Sequence, residues 1–435
     1  MKRKISISTT LTLILLSVAL TVSLTILLAM RHFNDQLTMV SERQEMYSHV
    51  HDVDSLVREY YPTLDSTLLR QSIAKGYVEG LGDPYAVYYT PARYAAEKLR
   101  LSGKANNVGV TLTLDADARL AVCRVQLNSS AGKAGVKAGD LLVAMNGESV
   151  EGKPLADLQN TLNTEPKVRL TVQREGKEYT YELSAFEYVA RSVQSSIIDQ
   201  VGYIRIYAFY ENTPDQFRSA ISAMQERGVT GIIFDLRNNA GGSATAVQEM
   251  LDHIMPLGPY GTLTDTKGNV TTLSTSVSLQ LGVPTVTLVN NGTAGEAEFF
   301  AAVMQNASLT TVVGQTTAGK AKYQGYFTLE ADYSALKLTV GEYGLVNSKE
   351  SWQDKGVSPE VVAELPVEQA SANMLLNPKE DAQVKVALEQ ISSSDLNELN
   401  STTEPSAAKK TTAKTTAKTT KKTTKKTTAK TTKAN

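Results

Sequence analysis

The first long feature of the chain is an apolar run from about Leu11 to Met30, interrupted only by Ser and Thr and preceded by Lys2, Arg3 and Lys4. About 20 such residues in a helix span the hydrocarbon core of a bilayer. The basic flank stays in the cytoplasm, so the run predicts a single-pass anchor in a cell membrane with the bulk of the chain outside the cytoplasm. A cleaved signal peptide is the alternative, but its apolar region is usually only ~7–15 residues. From about His51 to Ser102 the spacing is helical, with Leu56, Val57, Tyr60 and Tyr61 on one face and Ile73, Tyr77, Val78 and Leu81 on another. Gly82-Asp83-Pro84-Tyr85 breaks that pattern, and Thr90-Pro91 opens a further helix with proline near its first turn.

From about Val108 to Phe186 the pattern changes to short β-branched runs, including Val108–Leu112 and Leu120–Val125. The stretch "AGKAGVKAGDLLVAMNGESV" follows, then a short helix (Leu155 to Leu162) and two strands, Val168 to Gln173 and Glu178 to Leu183. This region resembles a PDZ domain, of the circularly arranged type found in exported bacterial proteases. The resemblance implies a small β-barrel with one strand edge open beside a helix. A peptide adds there as an extra strand, its terminal carboxylate held by backbone N–H groups. The matching loop runs through Asn107, Val108, Gly109 and Val110, which makes protein or peptide C-termini the expected partners.

A third region, from about Ser195 to Pro366, alternates strands with helices and predicts an α/β core. Val201–Ile206, Gly231–Leu236, Val283–Val289 and Thr311–Gly314 read as strands. Thr213 to Gly228 and Glu296 to Gln305 read as helices, and another follows Ala240-Gly241-Gly242. Glycine-rich turns at the carboxyl ends of strands are where such folds place their sites. Beyond about Ser392 the core-forming pattern stops. From Ala407 on there are ten lysines and no acidic residue, so the net charge of −1 hides a basic tail on an acidic body. A Lys/Thr-rich segment cannot bury a core. It is expected to be disordered and, outside a membrane, to lie on a polyanionic wall polymer or lipid. Export argues against nucleic acid as a partner.

The chemistry is narrowed by what the chain lacks. One cysteine, Cys123, and four histidines exclude a disulfide framework within the chain and make a Cys/His metal site improbable. His253 alone lies in the α/β region, inside a helical stretch, so a Ser-His-Asp triad has little to build on. A serine–lysine dyad needs no histidine, because burial turns lysine into a base. Gly319-Lys320 follows a strand and a turn and offers one candidate, with a surface lysine as the plainer reading. Gly241-Gly242 at a helix start suits an oxyanion. Asn291-Gly292-Thr293-Ala294-Gly295 sits at a strand-to-helix turn of the kind that presents a nucleophile.

Taken together, "GDPYAVYYTP", "IIFDLRNNAGG", "VPTVTLVNNGTAGEAEFFAAVMQNASLTTVVGQTTAGKAKYQG" and "LKLTVGEYGLVNSKESWQDKGVSPEVV" stand in the order seen in tail-specific (C-terminal processing) serine peptidases. The resemblance covers roughly residues 53–391. It implies a crotonase-like α/β core, proteolysis by a Ser-Lys dyad and no cofactor. The domains it implies are an anchor (1–31), a helical region (32–102), a PDZ domain (103–186), a peptidase domain (187–391) and the tail (392–435).

In that family a serine precedes a helix-opening glutamate by three residues, a lysine follows the serine by 25, and a glutamine follows the lysine by four. Glu298, Lys320 and Gln324 fit, and counting from either Glu298 or Lys320 gives the nucleophile position as Gly295. The resemblance puts oxyanion stabilisation at Gly241, Gly242 and Glu296. Ala240, where the family more often has proline, is a second departure. Glycine can neither attack a carbonyl nor form an acyl-enzyme. Three readings stay open: a pseudo-peptidase that binds C-termini, an active peptidase that uses Thr293 or a Lys320-activated water, and an envelope scaffold.

Overall fold

The apolar N-terminal run is part of one long helix, Ile7–Tyr60. Within it, Leu11–His32 has a mean hydropathy of 2.6, long and apolar enough to cross a membrane. The structure, a computed structural model, describes residues 7–276, 281–348, 350–366, 369 and 375–403. Of the tail expected to be disordered from residue 392, residues 392–403 instead continue the helix Ala382–Thr403, and residues 404–435, which carry its lysines and the expected polyanion contacts, lie outside the described residues. The chain divides into two units, one of residues 1–94 and 324–339, the other of residues 95–323 and 340–435.

In the first unit a second helix, Ser66–Glu79, starts where the Asp65 carboxylate accepts the Thr67 and Leu68 amides. That satisfies two of the donors every helix start leaves open. Val87–Tyr89, inside the stretch expected to be helical, is instead a short strand antiparallel to residues 335–337. Its β-branched and aromatic side chains suit a pleated surface better than a helix. Tyr89, Tyr94 and Tyr326 cluster beside it, with centroids 6.2–6.4 Å apart.

The second unit opens with a barrel-like sheet whose strands run in the order Val110–Leu114, Leu120–Val125, Leu141–Met145, Lys167–Arg174, Lys177–Ser184. Helix Leu155–Thr164 lies against its first strand, burying Leu158 and Leu162 in the same core as Val110, Leu112 and Leu170. A two-stranded ribbon, Lys104–Asn107 with Phe186–Val189, ties the two ends of this module together.

The main sheet has six strands. Val193–Ile198 and Val201–Ile206 run antiparallel; the sheet then continues in parallel through Gly231–Asp235, Thr285–Val289, Thr311–Gly314 and Val361–Val362. Parallel strands are covered on both faces, which is why their sequences read as unbroken apolar runs. Alternation sends Ile232 and Phe234 to one face and Ile233 to the other. The first face is packed by helices Thr213–Glu226, Ala244–Ile254 and Glu296–Asn306 through Phe217, Met250 and Phe300. The second is packed by Val384, Ala387 and Ile391 of the final helix, Ala382–Thr403. Burying each such large side chain contributes about 1.5–3 kcal/mol. The strand-end turns at residues 236–242 and 290–295 therefore rest on a stiff support.

Candidate active site and peptide edge

The loop after strand Gly231–Asp235 is anchored by a buried ion-pair network. Asp235 Oδ1 accepts Arg237 Nε (2.9 Å), and its Oδ2 accepts Arg237 Nη2 (2.7 Å) and the Tyr203 hydroxyl. Arg237 also pairs with Asp381 at 2.8 Å. Burial alone would push the Asp235 carboxyl up, but the charges of Arg237 and Arg205 and the hydrogen bonds hold it well below the usual range.

This fixed loop is sewn to the 290–295 turn. Ala294 N donates to Asn239 O at 2.9 Å, and Asn238 N to Asn290 Oδ1 at 2.9 Å. The Thr293 hydroxyl is fully buried; it donates to Leu236 O (2.9 Å) and accepts the Asn290 amide (3.0 Å). It is thus a latch between two loops, which removes the positional case for Thr293 as a nucleophile.

Gly295 ends the turn and caps helix Glu296–Asn306, with φ +61° and ψ −121°. That left-handed φ suits glycine and strains other residues. A Cβ built there would stand 3.7 Å from Lys320 Nζ and 3.8 Å from Ala240 O, both ordinary contacts. Space for a small side chain therefore exists beside the lysine amine. Glu298 holds the two segments together. Its Oε2 accepts the Gly295 amide (3.0 Å) and the Lys320 amide (2.8 Å), and its Oε1 accepts the Gly319 amide (2.7 Å) and the Thr317 hydroxyl. Gln324 is a half-buried residue of strand Lys322–Thr328 and belongs to the first unit.

The donors expected to hold an oxyanion have other occupants. Gly241 N donates to Asn239 Oδ1 (2.9 Å) and Gly242 N to Glu296 Oε2 (2.8 Å). Glu296 Oε1 accepts the Tyr343 hydroxyl at 3.1 Å. Burial and the Glu296 carboxylate push the Tyr343 phenol well above its ordinary value, which keeps it a donor. Gly241 has φ +93°, and a Cβ there would fall 2.3 Å from Glu296 Oε2, so the carboxylate fills the space in front of the glycine pair. Glu296 was expected at the oxyanion site, and its amide does open a helix whose first N–H groups have no acceptor within it. The role of its side chain escaped sequence reasoning, because the group it binds lies 54 residues earlier.

At the PDZ edge, Asn107 Oδ1 accepts the Gly109 amide (2.8 Å) and the Tyr188 hydroxyl (2.7 Å), while Val108 and Val110 are buried. On the strand side facing helix Leu155–Thr164, Gln159 donates to Val110 O (3.0 Å) and accepts the Leu112 amide (2.8 Å). Its side-chain amide makes the two bonds that the backbone of an added strand makes. No sequence signal marks Gln159, since nothing in the helix pattern sets it apart.

The family model for Peptidase family S41 matches residues 200–363, and the PDZ domain model matches residues 122–174. The carboxy-terminal processing protease CtpA of Bacillus subtilis strain 168 is 29% identical over 320 residues, covering 72% of this chain and 68% of that protein. CtpB of the same organism is 26% identical over 337 residues, covering 75% of this chain and 69% of that protein. The crystal structure of a Bacteroides fragilis protein assigned to the S41 proteases has a similar fold, with a TM-score of 0.57 at 18% identity over 73% of this chain and 90% of that one. The chain therefore carries a Peptidase family S41 domain and a PDZ domain on a mixed α/β fold, and its relatives are carboxy-terminal processing proteases.

Proposed function

We propose that this protein is a membrane-anchored, extracytoplasmic member of the processing proteases that captures protein C-termini and has lost the hydrolytic step. The observation that carries this reading is Gly295: a turn shaped to present a nucleophile, with room beside Lys320 Nζ, and no atom to attack with. Lys320 and Gln324 are the remnant of the dyad and its partner. The Glu296 carboxylate on the Gly242 amide is a second obstacle, since a developing oxyanion would meet a negative charge where it needs donors. Removal of a nucleophile usually leaves only ~10³–10⁴-fold catalysis over water. Capture of C-termini is assigned to the loop Asn107–Val110 and the strand edge after it. The anchor is Leu11–His32, oriented by Lys2, Arg3 and Lys4.

The test uses an unstructured protein with an apolar C-terminus. The native chain should bind its C-terminal peptide yet cut it no faster than the Lys320→Ala variant does. Cleavage by the native chain that disappears in Lys320→Ala would overturn the reading. The Thr293 hydroxyl donates to Leu236 O, which supports this reading over an active peptidase that uses Thr293.

A further inference from the structure

Between strand Leu120–Val125 of the PDZ module and strand Val201–Ile206 of the main sheet lies a cavity of about 500 Å³. That is within the ~300–1,000 Å³ typical of small-molecule sites. Arg124, Lys137, Arg191 and Arg205 line it, and no Asp or Glu is among its described lining residues. None of Asn107, Val108, Gly109 and Val110 lines it, nor do Gly295 and Lys320.

Arg205 is 8% exposed, and its Nε has no hydrogen-bond partner. The nearest carboxylate oxygen, Asp235 Oδ2, is 3.9 Å away and already accepts Arg237 and Tyr203. Arg124 Nε is likewise buried without a partner. The two guanidinium carbons lie 4.4 Å (Arg124) and 5.1 Å (Arg205) from the centroid of one ring, Tyr207. Contact with that ring positions both groups but gives neither Nε an acceptor. Buried guanidinium groups normally have a hydrogen-bonded anion, because an unmet charged donor is costly. Leu375, Leu376 and Pro378 add an apolar wall.

We propose that this cavity is a binding site for an oxyanion on a small apolar body, an aliphatic carboxylate being the form its walls fit. Arg124 and Arg205, both beside the Tyr207 ring, hold the oxyanion, and the Leu375–Leu376 wall covers the hydrocarbon. Lys137 and Arg191, both exposed, form the rim and draw the anion in. The site is independent of whether the S41 domain cleaves peptides.

The full-length chain in lipid nanodiscs is titrated calorimetrically with 4-methylpentanoate, with the uncharged 4-methylpentanamide and with inorganic phosphate. The carboxylate is too short to add as a strand at the PDZ edge. Saturable binding of carboxylate and none of amide is expected, with at least a tenfold loss in Arg124→Gln and in Arg205→Gln. Lys137→Gln should weaken it by less than threefold. Arg-dependent binding of phosphate in place of carboxylate would support the oxyanion site and move its source to phosphoryl compounds. No saturable binding of either anion, or the same affinity in Arg124→Gln as in the native chain, would overturn the proposal. Should Arg205→Gln fail to fold, the half-buried Arg124 decides alone.

Discussion

The PDZ edge and the glycine-pair turn of the S41 domain are each occupied by a side chain of this same protein. At the PDZ edge the occupant is Gln159, neutral and half-buried, bonded to Val110 O and the Leu112 amide. At the glycine pair it is Glu296, charged and buried, bonded to the Gly242 amide and the Tyr343 hydroxyl. A neutral amide near solvent exchanges its bonds for a peptide or for water at little cost, whereas a buried carboxylate that loses its donors keeps an unpaid desolvation. One occupant is therefore replaceable by a ligand, and the other is a fixture of the fold.

The hardest test of the contrast is to rebuild the hydrolytic step. Gly295→Ser puts a hydroxyl in the space beside Lys320, at the cost of a strained φ. By itself it should give little cleavage, because Glu296 still holds the Gly242 amide. Combined with Glu296→Ala, the rate on an apolar C-terminal peptide should rise by on the order of 10²–10³ over Gly295→Ser alone, the usual worth of oxyanion donors. Equal rates in the single and double variants would show that the carboxylate is no obstacle.

Next in size is the network that carries the glycine loop. Asp235→Asn leaves Arg237 and Arg205 without their shared counter-ion and should cost about 3–5 kcal/mol in urea unfolding. The native carboxyl lies below its ordinary value in the folded state, so its contribution is complete above the unfolded pKa of about 3.9. It is lost progressively as pH falls below that toward the folded value. Unfolding curves between pH 3 and 7 should therefore show less acid sensitivity in Asp235→Asn than in the native chain. An unchanged pH slope would remove Asp235 as the anchor.

Much of this contrast was legible in one sequence, and its two occupants were not. The parallel strands stood out because burial on both faces demands continuous apolar runs, as in Gly231–Asp235. Gly295 stands out only through the family resemblance, whose motif offsets from Glu298 and Lys320 both lead to it. Val87–Tyr89 was misread as helical because its partner residues, 335–337, are remote in the chain. The same holds for Arg205, which looks like a stray charge in a hydrophobic strand until Asp235, Arg124 and Tyr207 surround it. Gln159 and Glu296 act through contacts with backbone groups of distant segments. Residue type alone does not announce such contacts, and no periodicity encodes them.

The smallest effect is the most telling for the PDZ side. Gln159→Ala frees Val110 O and the Leu112 amide, so an incoming peptide no longer has to displace two hydrogen bonds. Each is worth about 0.5–1.5 kcal/mol net, and water recovers part of that, so affinity for a C-terminal peptide should rise roughly five- to tenfold. The loss in stability should stay near 1 kcal/mol, because alanine favours the helix that carries it. Fluorescence anisotropy with a labelled apolar C-terminal peptide measures the change. Weaker binding would mean that Gln159 contacts the peptide directly, and the edge would then be an open groove with a polar anchor. Unchanged binding would place the peptide elsewhere and leave Gln159 a structural brace. Only tighter binding fits an occupant that yields, which is the property that separates this surface from the one held by Glu296.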